Sequence, residues 1–433
     1  MNRAVFYLIF IILIGVHIFM IISMRLLPFI DLPMHLASAT IDRYIEKPGN
    51  CFSTYFQFRS FIFQPNVLSH YILSNSVFPS IEFARNFFYG IYIVLFPLSV
   101  LIFIKQLKGN IWFSLLAFLF LYNYSVNWGF MGYTLGIPLA LFALILHYKY
   151  LSEENKLYGS ILAIYLLFLY SVHGIIMLFT LGCMILYHFY YLDFSIKKLS
   201  RNVLIYLPAV ILVVLWFLNS GHESLGEVNA PFYRRVGHYY KSFYLDTFIT
   251  RLEFWHWDHN FLFSGSKGKW VGSLISIFTV SVSLFSVKYI KFAEKKKYVY
   301  LLIITGLALL AVLTLFQIVG ALYYTLYRFS VFIFIGIILL ASLLASNIRL
   351  RYRTYLMTAA VILHIVLWYG HFRQFQIENR TFNKELFQGI EKDEVLAFIL
   401  YDARYKNMMT YNHFSNYHII WNHGIAVNRM VDF

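Results

Sequence analysis

The stretch AVFYLIFIILIGVHIFMIISM, from Ala4 to Met24, decides the fold class of this chain. It is an unbroken apolar run, and about 20 such residues are what a helix needs to cross the hydrocarbon core of a bilayer. The residues Met1-Asn2-Arg3 in front of it resemble the start of a signal peptide, but no small-residue cleavage site follows. We therefore expect a retained first transmembrane helix.

The composition extends this interpretation to most of the chain. Of its 433 residues, 60% are hydrophobic and 13% are charged, whereas a soluble domain carries about a quarter charged residues. The pattern predicts an all-α polytopic membrane protein with about eleven transmembrane helices. The further apolar runs lie at about 86–104, 111–124, 130–147, 158–171, 174–191, 202–218, 270–287, 298–317, 329–347 and 354–370.

The basic residues of the short connections predict the orientation. They fall almost entirely in alternate connections, at Arg3, Lys105, Lys108, Lys149, Lys156, Lys197, Lys198, Arg201, Lys288, Lys291, Lys295, Lys296, Lys297, Arg349, Arg351 and Arg353. Because cytoplasmic loops are enriched in Lys and Arg, the N-terminus is predicted in the cytoplasm and the C-terminus outside. The net charge of +15 is thus mainly a topology signal, and no clustered basic face predicts a nucleic-acid partner.

Three long segments then lie on the extracytoplasmic side. They are residues 25–85, 219–269 and 371–433. The first two are predicted as outer loops of a transmembrane domain, residues 1–370, and the last as a small extracytoplasmic C-terminal segment that packs onto them. Most histidines also fall on this side, which is where we expect chemistry to occur.

The first outer loop opens with an acid and an imidazole. Asp31 precedes Pro33, and proline is well placed in the first turn of a helix, so a helix is predicted over Leu32–Ile45. Asp31 and His35 are four residues apart and share one face of that helix. Asp31 is either a helix cap or a catalytic carboxylate, and His35 either a polar contact or a base.

The same loop carries a second predicted interfacial helix, Val67–Asn75, with Asn66 as its cap. The two cysteines do not suggest a disulfide, because Cys51 lies in this loop and Cys183 in the middle of an apolar run.

The second outer loop holds two candidate sites. The string Glu253-Phe254-Trp255-His256-Trp257-Asp258-His259-Asn260 is interpreted as an interfacial anchor or a sugar platform that includes His256, with metal ligation as the alternative. The neighbouring pair Arg234 and Arg235 is either a phosphate clamp or solvated loop charge.

Two short outer connections add further candidates. Arg328 follows Tyr323-Tyr324-x-x-Tyr327 and is the basic residue that breaks the charge pattern. It either reaches the headgroups or faces an internal cavity, and we favour the cavity. His173 lies in the tight turn Ser171-Val172-His173-Gly174, as a hairpin contact or a cavity residue.

Three strings carry a resemblance to a known class. They are Asp31-x-Pro33-x-His35-Leu36, Asn127-Trp128-Gly129-Phe130-Met131-Gly132-Tyr133-x-Leu135-Gly136 and Tyr411-Asn412-His413-Phe414-Ser415-Asn416-Tyr417. Together with the topology, they resemble the GT-C class of integral membrane glycosyltransferases and a group of bacterial membrane proteins of that architecture. The resemblance implies a bacterial inner-membrane enzyme that takes a sugar from a polyprenyl-phosphate donor.

That resemblance assigns expected roles. Asp31 would be the general base on an acceptor hydroxyl, and His35 would orient it. Arg328, or the pair Arg234 and Arg235, would stabilise the departing lipid phosphate. Further expected substrate contacts are His173, Tyr324, His256 and His413. Asp31 lacks the adjacent acid that the class often has, so no metal site is predicted, although a divalent metal ion is left open as a cofactor.

Two alternatives remain open at the level of the sequence. One is a flippase or transporter of lipid-linked glycans, a class that places ionisable groups near the bilayer midplane. The other is a glycan polymerase of the O-antigen type, which also has a large late outer loop. No Walker loop, dinucleotide fingerprint, serine elbow or His-Glu-x-x-His motif is present.

Overall fold

A computed structural model of the chain is mainly helical, with almost no sheet. It describes residues 3–57, 64–192, 195–197, 203–219, 251–284, 295–314, 326–345, 351–391 and 394–427. The protein is an all-α membrane protein, as the composition predicts.

The described elements follow the predicted apolar runs closely. The α-helices are α1 (Arg3–Ile22), α2 (Leu32–Tyr44), α3 (Phe52–Tyr55), α4 (Leu68–Ser74), α5 (Ile81–Gln106), α6 (Tyr124–Trp128), α7 (Met131–Glu153), α8 (Lys156–Val172), α9 (Gly174–Tyr191), α10 (Leu207–Asn219), α11 (Ser266–Leu284), α12 (Lys295–Thr314), α13 (Ser330–Leu344), α14 (Arg351–Glu378) and α15 (Tyr417–Asn422). Short 3₁₀ helices cover Ile111–Phe120, Val203–Ile205, Glu253–His259, Leu326–Phe329, Lys384–Phe387 and Thr410–Asn416. Two strands, β1 (Val395–Ala397) and β2 (Ile425–Val427), pair in parallel.

Length and composition identify the membrane-crossing helices. Within the described ranges, seven helices are long and apolar enough to span a bilayer: α1, α5, α7, α9, α12, α13 with its preceding turn, and α14. The helices α8 and α10 are apolar but shorter. The predicted number of about eleven spans and the orientation stay predictions.

The predicted span at 111–124 has an unexpected geometry. Residues Ile111–Phe120 form a 3₁₀ helix, and every residue from Trp112 to Phe120 is buried. Ten residues at about 2.0 Å of rise give a rod of about 20 Å, which is short for a bilayer. The segment lies inside the protein between α5, α13 and α14, and Phe120 stacks on Phe334 with ring centroids 4.5 Å apart. A backbone that departs from the α-helix is tolerated at membrane depth where protein encloses it.

The connections from α7 to α8 and from α8 to α9 are very short. Glu154 adopts a left-handed conformation after α7, and the Asn155 side chain then accepts a hydrogen bond from the backbone N–H of Leu157 to start α8. His173 alone separates α8 from α9. These short turns make antiparallel neighbours of successive helices.

Different contacts are found at the two ends of the helix bundle. At one end, Lys105 lies over the ring of Tyr7, Lys296 lies over Tyr191, and the backbone N–H of Asn110 donates to the carbonyl of Ser342. At the other, Arg85 at the start of α5 donates to the carbonyls that follow α1. We call this second end the Asp31 end, because Asp31 lies there.

The C-terminal segment folds back onto the Asp31 end. Arg25 donates to the carbonyl of Asn379 at 2.7 Å, and the indole of Trp421 donates to Glu82 at 3.1 Å. The ring of His423 lies 4.3 Å from that of Tyr44, at the end of α2. The segment therefore packs on the loop after α1 and on the start of α5, in line with its predicted packing onto the other loops.

Candidate functional site

Asp31 lies at the start of α2, with its side chain 18% exposed. It occupies the N-cap position, but its carboxylate makes no capping hydrogen bond to the helix. The cap interpretation of the Asp31 carboxylate is therefore not what the structure shows. The predicted helix itself is confirmed, because α2 covers Leu32–Tyr44 and Ile45 is its C-cap.

The backbone of Asp31 is held by the loop that follows α6. The N–H of Asp31 donates to the carbonyl of Trp128 at 2.9 Å, and that of Ile30 donates to Asn127 at 3.1 Å. Gly129 follows with φ of +78°, and a Cβ at this position would lie 2.7 Å from the backbone nitrogen of Leu32. Only glycine meets both demands, so the 127–129 loop fixes the backbone that presents Asp31.

His413 lies against the Asp31 carboxylate. Its Nε2 lies 3.4 Å from Oδ1 of Asp31, and the residue is 1% exposed. His413 belongs to the 3₁₀ helix Thr410–Asn416 of the C-terminal segment. Two of the strings singled out in the sequence thus meet in one acid–imidazole pair.

His35 lies one helical turn beyond Asp31 and is half-buried. Desolvation lowers its pKa, and the nearby Asp31 carboxylate opposes that effect in part. Positive charge on His413 and Arg328 also lowers the pKa of His35. At neutral pH His35 is therefore a neutral imidazole, which can both donate and accept a hydrogen bond.

Arg328 is turned into the protein rather than towards lipid headgroups. It is 8% exposed, and its guanidinium carbon lies 3.5 Å from the centroid of the Phe130 ring and 5.8 Å from that of Tyr133. Such stacking on aromatic faces is typical of a desolvated arginine. The charge of Asp31 acts on this guanidinium, which places both groups in one electrostatic neighbourhood.

His173 joins the same neighbourhood from the turn between α8 and α9. It is 7% exposed and packs edge-on against Tyr133 at 5.1 Å between ring centroids. Burial, aided by the charge of Arg328, lowers the pKa of His173 to about 3. Its Nδ1 has no hydrogen-bond partner within the described part of the chain. We call Asp31, His35, His413, Arg328 and His173 the Asp31 cluster.

A second acid–imidazole pair borders the cluster and was not expected. Asp42, further along α2, forms an ion pair with His70 of α4, and both side chains are 24% exposed. Asp31, His35 and Asp42 fall on one face of α2, because their spacings of four and seven residues match the helical repeat. The cap predicted for α4 is wrong: Val67 holds that position, and Asn66 accepts from the N–H of Gly174 at 3.0 Å.

Residues 253–259 contact the elements that carry part of the Asp31 cluster. Asp258 is fully buried, accepts hydrogen bonds from the N–H of Tyr124 at 2.8 Å and from the hydroxyl of Ser330, and so ties α6 to α13. Burial raises the pKa of Asp258 to about 6. Trp257 stacks on Tyr327, next to Arg328, at 4.7 Å. The string therefore holds the elements that carry Trp128 and Arg328.

The remaining candidates of that loop have different outcomes. His256 stacks on Trp257 and lies 4.0 Å from Glu253, away from the cluster contacts given above. Among the described residues no group of three or more His, Cys, Asp and Glu side chains could hold a metal ion. Arg234, Arg235 and Tyr324 lie outside the described residues.

The Asp31 cluster combines a carboxylate, three imidazoles and a buried guanidinium. A carboxylate that is not used for capping can accept a proton, and a guanidinium stabilises a departing oxyanion. Three comparisons with known proteins give no match: no family model, no curated protein and no solved structure is similar to the chain. Function is therefore inferred from the chemistry of this cluster.

Proposed function

We propose that the protein is a membrane glycosyltransferase that moves a sugar from a polyprenyl-phosphate donor to an acceptor on the extracytoplasmic face. The observation that carries this proposal is the position of the Asp31 carboxylate, which faces His413 and shares its surroundings with the inward-turned Arg328. In the proposed topology the chain crosses the inner membrane about eleven times, with its N-terminus in the cytoplasm.

The proposed reaction is a displacement at the anomeric carbon of the donor sugar. The acceptor hydroxyl forms the new bond to that carbon while the bond to the phosphate oxygen breaks, and the bonding electrons leave with the phosphate. Asp31 takes the hydroxyl proton. Arg328 stabilises the charge that develops on the lipid phosphate. His413 and the neutral His35 orient the carboxylate and the acceptor.

Three features support this assignment over a purely structural role. The carboxylate is partly exposed and is free of capping, while its backbone is fixed by the 127–129 loop. Arg328 is desolvated, and a desolvated guanidinium interacts more strongly with an anion than one in water. Both groups lie at one end of the bundle, where a lipid-linked donor in the adjacent leaflet would present its phosphate.

Turnover of labelled donor tests the proposal. Purified full-length protein in proteoliposomes is supplied with a panel of polyprenyl-phosphate sugars and an acceptor extract from bacterial envelopes, and released polyprenyl phosphate is measured. Wild-type protein should release it, and Asp31→Asn should slow release by at least about 100-fold, because the amide cannot take the proton. Glu46→Gln, an exposed carboxylate just beyond α2, is the matched control and should keep wild-type activity.

Near-normal turnover in Asp31→Asn would contradict the assignment of the base. Movement of the intact lipid-linked sugar across the bilayer, without release of polyprenyl phosphate, would instead identify a flippase. Elongation of a lipid-linked glycan with release of the diphosphate carrier would identify a polymerase.

A further inference from the structure

A cavity of about 240 Å³ lies beside α2, on the side away from Asp31. Arg25, Glu82 and Lys384 line it together with the aromatic residues Tyr417 and Trp421. The loop that follows α1, the start of α5 and the C-terminal segment therefore all contribute to its walls. Leu36, which also lines it, lies about 140° around α2 from Asp31, so the cavity is separate from the Asp31 cluster.

The walls of this cavity are built by a buried arginine. Arg85 is 3% exposed and donates to the carbonyls of Arg25 at 2.8 Å and Met24 at 3.1 Å. It also donates to the side-chain oxygen of Asn86 at 2.8 Å. Its N–H groups are thus occupied by the protein, and Arg85 fixes the chain just after α1 rather than binding a ligand.

The other polar groups of the cavity carry both signs of charge, and they include Asn383 and the second carboxylate, Glu385. Glu82 accepts from the indole of Trp421 at 3.1 Å and lies 3.5 Å from the ammonium of Lys384. Arg25 donates a hydrogen bond to the carbonyl of Asn379. Tyr417 is 2% exposed, and its hydroxyl has no hydrogen-bond partner within the described ranges.

An apolar groove of about 510 Å³ runs alongside, between α1 and α5. Its lining includes Ile22, Phe83, Phe87 and Gly90. Asn86 also lines the groove, and its side-chain oxygen accepts a hydrogen bond from Arg85, which lines the cavity. The charged cavity and the apolar groove are therefore neighbours on α5. A Cβ added at Gly90 would meet nothing within 4 Å, which shows that this glycine leaves open space.

We propose that the cavity and the groove together bind one zwitterionic phospholipid of the ethanolamine type. Its phosphate lies between Arg25 and Lys384, its ammonium near Glu82, and one acyl chain in the groove. The charges of both signs in the cavity match a headgroup with both signs, and the apolar groove in a membrane-spanning helix pair matches the chain.

The bound lipid has a structural consequence for the Asp31 cluster. Tyr417 and Trp421 belong to the same C-terminal segment as His413. A lipid that contacts those two rings and α5 holds this segment against the bundle. Binding of a ligand to the folded state alone stabilises it by mass action, so the lipid should raise the melting temperature of the protein.

Native mass spectrometry of the delipidated full-length protein tests whether the groove between α1 and α5 binds the acyl chain. Phosphatidylethanolamine is titrated against wild-type protein, Gly90→Leu and the matched control Gly306→Leu, which adds the same side chain at an exposed, open position of α12, a helix that does not line the groove. Gly90→Leu should weaken binding by about tenfold or more, because the new side chain fills the groove, while Gly306→Leu should bind as wild type. Equal binding by both variants overturns the groove assignment.

Headgroup selectivity tests the cavity. Wild-type protein should prefer phosphatidylethanolamine over phosphatidylglycerol, and Glu82→Gln should reduce that preference by about tenfold, because it keeps an acceptor for Trp421 but loses the charge for the ammonium. Equal affinity of the wild type for the two lipids, or tighter binding of a polyprenyl phosphate, overturns the zwitterionic assignment. If soluble glycerophosphoethanolamine binds as tightly as the lipid, the acyl chain has no role in binding and the groove assignment is overturned. None of these readouts depends on glycosyl transfer.

Discussion

Oδ1 of Asp31 and Nε2 of His413 lie 3.4 Å apart, although one residue follows the first membrane helix and the other belongs to the C-terminal segment. No local sequence feature near either residue brings the two side chains together. It results from the packing of the 3₁₀ helix Thr410–Asn416 against α2. The pair therefore depends on the whole fold, which is the usual situation for catalytic groups and unusual for a helix cap.

Arg328 gives the sharpest prediction for the phosphate site. Arg328→Ala should lower turnover by about 100-fold and raise the KM for the donor, because it removes the charge facing the departing phosphate. Arg328→Lys should lower turnover by about tenfold, since it keeps the charge but loses the planar fork. Arg380→Lys, at an exposed position beyond α14, is the control. Wild-type kinetics in Arg328→Lys would transfer the role to Arg234 and Arg235.

Gly129→Ala should disturb the Asp31 cluster through the backbone. The substitution combines a positive φ with a collision against Leu32, whereas Gly49→Ala shares the positive φ of +86° but meets nothing within 4 Å. Gly49→Ala should cost about 1 to 2 kcal/mol of unfolding free energy from the left-handed backbone alone. Gly129→Ala should cost clearly more and also slow turnover. Equal melting temperatures for the two variants would contradict the close approach.

His173 should make the protein less stable in mild acid. Its pKa is lowered to about 3 in the fold and lies near 6.5 in the unfolded chain, so the unfolded state binds the proton first as pH falls. Between pH 6.5 and pH 5 this costs about 2 kcal/mol of unfolding free energy. His173→Phe keeps a ring but cannot titrate, so its unfolding should depend less on pH by that amount. Parallel melting curves for both proteins against pH would refute the assignment.

Reporter fusions test the orientation. The distribution of basic residues predicts that the C-terminus lies outside, so a reporter active only in the cytoplasm and fused after Phe433 should be silent. The same reporter inserted after Lys108, in a predicted cytoplasmic turn, should be active. A strong signal after Phe433 would reverse the orientation and move the Asp31 cluster to the cytoplasmic face.

Much of the fold could be predicted because it depends on local signals. Long apolar runs give α1, α5 and α7, and the proline-led start of α2 gives its first residue correctly. The 3₁₀ geometry of Ile111–Phe120 could not be predicted, because periodicity does not distinguish a rod enclosed by protein from one that crosses the bilayer.

The site was predictable as a set of residues but not as an arrangement. The strings containing Asp31, Phe130 and His413 were singled out, and they do meet. The pairing of Asp42 with His70 and the hydrogen bonds of Asp258 were not foreseen, because each joins segments far apart in the chain. Composition carries no information on which distant polar groups meet once the helices pack.

The origin of His413 in the C-terminal segment also sets an order for assembly in the cell. Asp31 leaves the ribosome with the first membrane helix, and at about 5 to 20 residues per second the imidazole follows roughly tens of seconds later. Until then the nascent chain, already inserted, lacks the imidazole partner of Asp31. A chain that stalls, or that is clipped before position 413, therefore enters the membrane with Asp31 but without its imidazole partner.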